Sequence, residues 1–158
     1  MSLENVKDYL NKFGAAARVR EFDVSSATVA LAAAALGTGP ERIAKSIAFD
    51  AGGQPVLIIT AGDAKIDNTK FKERFHAKAR MLSPEETEQA TGHAVGGVCP
   101  FAVKEGVRIY LDDSLKRFET VFPACGSANS AIELTIAELE EYTPNEGWVD
   151  VCKLRPPE

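Results

Sequence analysis

The chain has 158 residues, 45% of them hydrophobic, and a formal net charge of −5. That length and apolar content fit one domain with a proper core, residues 1–158, and no run approaches the roughly 20 apolar residues of a membrane span. The acidic balance excludes a protein that grips long stretches of nucleic acid, which is usually basic, so any such contact should be local or assisted by a partner. Met1-Ser2-Leu3-Glu4-Asn5-Val6-Lys7 is polar and lacks the apolar stretch of a signal peptide. Cys99, Cys125 and Cys152 are unevenly spaced with no Cys-x-x-Cys, which argues against a disulfide framework. The expectation is a soluble, cytoplasmic protein.

Ser2 caps an expected helix over 3–13, with Val6, Leu10 and Phe13 on one face and Gly14 as its stop. Val19–Phe22 reads as a short strand, and Ala-rich 28–36 as a helix ended by Gly37. Pro40-Glu41-Arg42 is a helical turn with Pro at its start. Residues 44–50 and 55–60 flank Ala51-Gly52-Gly53-Gln54, a β-hairpin whose continuously apolar second arm should be a central strand. Asp67 caps a helix over 68–76; 79–82 is a short strand; Ser83-Pro84-Glu85-Glu86 opens another helix, which stops at Gly92. Residues 107–111 alternate as a strand and 114–118 form a helical turn. Residues 119–123 and 130–134 are strands around the turn at 125–129. Thr135 and Glu138 form a capping box for a helix to about Tyr142, and 148–151 closes the fold. The architecture expected is α/β with a mixed, largely antiparallel sheet surrounded by short helices; strand spacing is too irregular for a doubly wound fold.

Lys45 shares a strand face with Ile43 and Ile47 at period 2. If that face is buried, the ammonium must find an anion or a cleft; otherwise it snorkels at a strand end. Residues 92–102, Gly-His-Ala-Val-Gly-Gly-Val-Cys-Pro-Phe-Ala, form a loop with no obvious catalytic side chain. Gly96 and Gly97 leave the main chain uncovered, and Pro100 pushes Cys99 toward an extended shape. The plain reading is a wide turn. Its apolar Val95, Val98 and Phe101 suggest instead a loop pinned to the core with its N–H groups facing a pocket. Cys99 and His93 could form a nucleophilic pair, but they share one loop and show no third, orienting group. A zinc site from Cys99, Cys125, Cys152, His76 and His93 lacks ligand-like spacing. Asp63, Asp67, Asp112 and Asp113 sit where turn and cap residues sit, and there is no Walker or Rossmann motif.

Read together, several segments resemble the YbaK/ProX family of aminoacyl-tRNA deacylases, which is similar to the editing insertion of bacterial prolyl-tRNA synthetase. The carriers are Ile43-Ala44-Lys45-Ser46-Ile47, Asp63-Ala64-Lys65-Ile66-Asp67, Thr91 to Phe101, Tyr110-Leu111-Asp112, and Gly126-Ser127-Ala128-Asn129-Ser130-Ala131-Ile132-Glu133-Leu134. The resemblance implies hydrolysis of mischarged aminoacyl-tRNA, gripped by its acceptor end, with no metal and no cofactor. Lys45 matches the strand lysine lining the substrate site, and Gly96–Pro100 match the Gly-x-x-x-Pro loop whose backbone donors hold the aminoacyl ester and terminal ribose. On that footing Lys45, Gly97 and Val98 are expected to be catalytic, with assistance from the substrate's own groups. Gly96, Cys99, Pro100, His93, Asn129, Ser46 and Thr60 are expected around the substrate. An aminoacyl-tRNA synthetase is a further candidate partner, no membrane contact is expected, and the protein should be a monomer or weak homodimer. Some members carry an acid where Ala131 stands, and a Gly-Gly-Lys-Arg turn where this chain has Cys125-Gly126-Ser127-Ala128, so a role for that acid does not carry over. Two other readings remain: a non-catalytic module for tRNA ends or a synthetase, and a cysteine hydrolase acting through Cys99.

Overall fold

The glycine pair that marks the hairpin in the sequence makes the central feature of the fold. The computed structural model describes residues 2–154, so the ends of the expected domain, Met1 and 155–158, lie outside the described residues. In chain order the elements begin with α1 (Ser2–Asn11), β1 (Arg20–Glu21), α2 (Val29–Leu36), β2 (Ile43–Ala51) and β3 (Gln54–Ala61). Then come β4 (Ala64–Ile66), α3 (Asn68–Phe75), β5 (Arg80–Met81), α4 (Pro84–Thr91), β6 (Arg108–Asp112) and β7 (Thr120–Pro123). The last are β8 (Ser130–Ala131), β9 (Leu134–Thr135), α5 (Ile136–Tyr142), β10 (Trp148–Val149) and β11 (Cys152–Leu154). Short 3-10 turns fall at Ala16–Arg18, Pro40–Arg42 and Asp113–Arg117.

β2 and β3 pair antiparallel from Ala44↔Ala61 to Ala51↔Gln54, closed by Gly52 and Gly53 at φ +63° and +94°. Two successive left-handed residues are what a two-residue hairpin turn needs, and glycine supplies them without a Cβ penalty. The main sheet runs β10-β6-β3-β2-β7-β9, with β5 added against β2. β6 lies parallel to β3 and to β10, and β7 parallel to β2, while β2–β3, β2–β5 and β7–β9 are antiparallel. Two small antiparallel ribbons, β1–β8 and β4–β11, form separate two-stranded sheets beside the mixed sheet. Leu57, Ile58 and Ile59 are wholly buried although their side chains alternate faces, so both sides of β3 are covered, as its unbroken apolar run predicts. Val6 and Leu10 of α1 and Leu139 of α5 complete the same core.

The helix ends follow from side chains. Thr28 accepts from the Leu31 N–H, Asp67 from Thr69 and Lys70, and Ser83 and Thr135 make reciprocal capping boxes with Glu86 and Glu138. Three details depart from the sequence pattern. α1 stops at Asn11, leaving Phe13 beyond it to stack on Tyr142. Residues 130–134 are not one strand: Ser130–Ala131 pairs with β1 and Leu134–Thr135 with β7. β4 and β11, absent from the pattern, pair with one another across the chain. No helix among the described residues is long and apolar enough to cross a membrane.

Candidate functional site

β2 forms one wall of a cleft of about 230 Å³. All six residues from Ile43 to Ala48 line it. Facing them are the turn into α2 (Ser26 to Val29) with Ala32, the glycine loop through Val95, Gly96 and Val98, and Met81-Leu82. Thr87, Phe122, Ala124, Ser130 and Ala131 close it. Among the described residues the lining contains one charged side chain, Lys45, and no Asp, Glu, His or Cys. The hydroxyls of Ser26 and Ser46 are buried here without a hydrogen-bond partner.

Backbone chemistry builds the loop. Gly92 ends α4 at φ +86°, and the Gly97 N–H then turns back to the Ala94 carbonyl at 3.0 Å. Gly96 takes φ +101°, a conformation glycine adopts readily. Gly97 lies against the 126–127 turn so closely that a Cβ would stand 2.6 Å from Gly126 C and Ser127 N. Phe101 is fully buried and Val98 packs on the core, which pins the loop as its apolar content suggests; Val95 instead stays 61% exposed at the rim. Among the described residues the N–H groups of Gly96 and Val98 donate no hydrogen bond.

His93 ties the loop to the rest of the chain. Its Nε2–H donates to the Phe101 carbonyl at 2.7 Å, which fixes the tautomer, and Nδ1 accepts from the Ser2 hydroxyl. Its own N–H donates to Thr91 Oγ1 at 3.1 Å. Burial holds the ring's pKa below its ordinary value, against a smaller opposing effect of the Phe101 hydrogen bond. Cys99 is fully buried, with Sγ 3.7 Å from His93 Nε2, and burial pushes its thiol up to about 12. A neutral thiol beside a neutral imidazole, both outside the cleft lining, is a packing arrangement and not an activated nucleophile. The zinc grouping does not assemble either: no three His, Cys, Asp or Glu side chains among the described residues could hold a metal.

The Lys45 ammonium donates to the carbonyl of Ala64. Asp63 stands next to that residue, its carboxyl held below the ordinary range first by hydrogen bonding to Arg117 and, among lesser effects, by the charge of Lys45. Arg117 grips Asp63 through its two terminal guanidinium nitrogens at 2.5 and 3.0 Å. The segment Asp63-Ala64 thus positions the lysine. Asp67 and Asp112 act as caps: Asp112, almost fully buried, accepts from Ser114 and Val151 N–H at 2.9 and 3.0 Å.

The model of the aminoacyl-tRNA editing domain family matches residues 23–142, which contain the whole of this cleft. The chain belongs to the aminoacyl-tRNA editing domain family. Its relatives include the uncharacterized protein YwhH of Bacillus subtilis, 54% identical over 97% of this chain and 98% of that one. The proline–tRNA ligase of Geobacillus thermodenitrificans is 32% identical over 109 residues, 68% of this chain but only 19% of the ligase. The fold superposes on a solved structure described as a candidate trans-editing enzyme for prolyl tRNA synthetase, with TM-score 0.86 and 28% identity over 96% of this chain and 97% of that one.

Of the residues expected at the site of this editing domain, the fold brings Lys45, Ser46, Gly96 and Val98 to the cleft, while Gly97 packs against the 126–127 turn and is not in the lining. Cys99, Pro100, His93, Thr60 and Asn129 are not in its lining. Thr60 pairs with Lys45 across the hairpin, its hydroxyl donating to the Ala61 carbonyl at 3.3 Å. Asn129 instead ties the turn before β8 to Phe22, accepting from the Phe22 N–H at 2.8 Å and donating from Nδ2 to the Phe22 carbonyl at 3.0 Å. Ser26, Ala27 and Thr28 also line the cleft, and the Ala64 carbonyl holds the lysine; the sequence marks the first three only by the helix cap at Thr28 and gives no signal for the role of Ala64.

Proposed function

We propose that this chain is a free-standing aminoacyl-tRNA deacylase that hydrolyses mischarged tRNA in the cytoplasm. The observation that carries the reading is the cleft itself, where Lys45 and the glycine loop line one cavity that, among the described residues, has no Asp, Glu, His or Cys in its wall. Hydrolysis there joins a water oxygen to the acyl carbon and breaks the bond to the terminal ribose oxygen. One water proton goes to that leaving oxygen, and the products are a free amino acid and uncharged tRNA. Negative charge develops on the acyl oxygen in the transition state. Backbone N–H groups of Gly96 and Val98 would donate hydrogen bonds to that oxygen, a role in which one lost donor typically costs about 10²–10³ in rate. Gly97 sets the loop's shape. Lys45 would neutralise the terminal phosphate or polarise the ester. An aminoacyl ester is already activated, so positioning and charge stabilisation suffice without a side-chain nucleophile.

The test is a panel of mischarged tRNAs with purified protein. Wild type should release amino acid from at least one of them. Lys45→Ala, folded by circular dichroism, should lose most of that rate; undiminished hydrolysis would remove Lys45 from the mechanism. A second reading, a binding module without hydrolysis, is favoured by the Gly97 N–H being spent on Ala94. Binding of uncharged tRNA with no hydrolysis of any charged species would select it.

A further inference from the structure

The net charge hides a strong asymmetry. Residues 65–80 carry six Lys and Arg against two Asp and Glu, leaving twelve against twenty-one in the rest of the chain. The excess is displayed: Lys65, Lys72, Arg74, Lys78 and Arg80 are exposed along β4, α3 and the segment that leads into β5. Two of the six are paired to acids, Lys70 to Asp150 at 3.0 Å and Arg80 to Asp50 at 2.9 Å. Lys65, Lys72 and Lys78 make no ion pair among the described residues. Lys72 and Lys78 line an open groove with Asn68, Thr69 and Ala79, and among the described residues Glu73 is the one acid in it.

We infer that this groove is where the sugar-phosphate backbone of the tRNA lies when its aminoacylated end occupies the cleft. The inference rests on the deacylase reading for what sits in the cleft, and on charge and placement for the rest. The chain passes directly from groove to cleft: Lys78 and Ala79 line the groove, Met81 and Leu82 the cleft. Three residues of extended chain span about 10 Å, so a strand leaving the cleft meets the groove within a few nucleotides. α3 is about 12 Å long, enough to lie along several phosphates of a nucleic-acid strand. A small cationic strip on an otherwise acidic protein also suits trans-acting editing: it attracts the acceptor end, while the remaining surface repels the body of the tRNA and keeps binding weak.

The experiment compares wild type with Lys72→Glu/Lys78→Glu and with Lys12→Glu/Lys104→Glu, which alters net charge equally at exposed lysines away from the groove. Binding of uncharged tRNA is followed by fluorescence anisotropy across a potassium chloride series, and hydrolysis with both a charged tRNA and a short aminoacylated 3′-terminal oligonucleotide. The groove variant should lose about tenfold or more in tRNA affinity, with a log–log salt slope shallower by about two. Its KM for charged tRNA should rise while turnover of the short substrate stays at the wild-type value. Wild-type affinity and salt slope in the groove variant, or an equal loss in the control, would overturn the assignment. So would unchanged tRNA binding with lost capture of an acidic synthetase surface. The binding arm decides the matter even if no charged species is hydrolysed, so failure of the deacylase reading and failure of the groove are separately visible.

Discussion

Gly97→Ala is the sharpest test of the view that the loop works by shape. Gly97 lies outside the left-handed region, so alanine meets no dihedral penalty there and the cost is purely steric. Its Cβ would stand 2.6 Å from Gly126 C and Ser127 N and 2.8 Å from Gly126 O, all backbone atoms of a turn that cannot rotate away. Restoring ordinary contact at 3.4 Å requires the loop to retreat by about 0.8 Å. Overpacking of this kind costs ~1–3 kcal/mol. For a domain of this length that corresponds to a fall in Tm of about 4–8 °C for a 2 kcal/mol loss. A donor displaced by nearly 1 Å from a developing oxyanion costs on the order of 10²-fold, so kcat/KM on a mischarged tRNA should fall by that order. Gly106→Ala is the control: its φ of +96° makes alanine strained, but nothing lies within 4 Å of the new Cβ. It should lose stability and keep its deacylation rate. Wild-type Tm and kcat/KM in Gly97→Ala would refute the close packing of the loop on the 126–127 turn, and full activity despite a lowered Tm would refute the loop's part in the reaction.

Other expectations follow from the buried groups. Cys99→Ala should leave hydrolysis at the wild-type rate and lower stability by about 1 kcal/mol, read by urea titration; loss of turnover with an intact fold would restore the cysteine mechanism. His93 has a folded pKa depressed by burial, so its contribution is fully present above the unfolded value of about 6.5 and is lost as pH falls below it, because only the unfolded chain takes up the proton. His93→Gln should flatten that part of the stability–pH curve. Glu138 is held at about 2, chiefly by its hydrogen bond from Arg18 and then by the Thr135 N–H. Its stabilising effect is therefore present above about pH 4.5 and disappears as pH falls toward 2. Arg18→Ala should cost about 1 kcal/mol at neutral pH, a value discounted because both side chains are partly exposed, and the gap from wild type should close across that acid window in urea melts.

How far the sequence speaks depends on the range of the interactions involved. The hairpin, the caps at Thr28, Asp67, Ser83 and Thr135, and the buried run of β3 are legible because each is decided within a few residues. β4 and β11 are not legible: they are three-residue strands, too short for any period, and each exists only because Ile66 meets Cys152 from the far end of the chain. The break at Ile132-Glu133 is equally nonlocal, since Ser130–Ala131 turns to β1 and Leu134–Thr135 to β7. At the site, the pattern places Lys45 on the right strand but is silent on the direction of a flexible four-carbon stem. The same limit applies to Gly97, whose N–H is committed to Ala94 by the loop's actual turn and not by its composition.

That tether on Lys45 bears on how such a site operates. An ammonium on a half-buried strand is costly without a partner, and the Ala64 carbonyl provides one. On the proposed reading, an incoming ester or phosphate oxygen replaces that carbonyl, one acceptor for another, so the lysine is neither desolvated nor stranded when the substrate arrives. The exchange gains only the difference between a neutral and a more negative acceptor, and that difference grows as charge builds on the substrate. Binding in the ground state stays weak while the transition state is favoured. On the same proposed reading, the lining's lack of a carboxylate or thiolate among the described residues is an advantage. Either would add permanent charge near a polyanionic ligand, whereas backbone N–H groups and one tethered cation respond to the charge only as it forms.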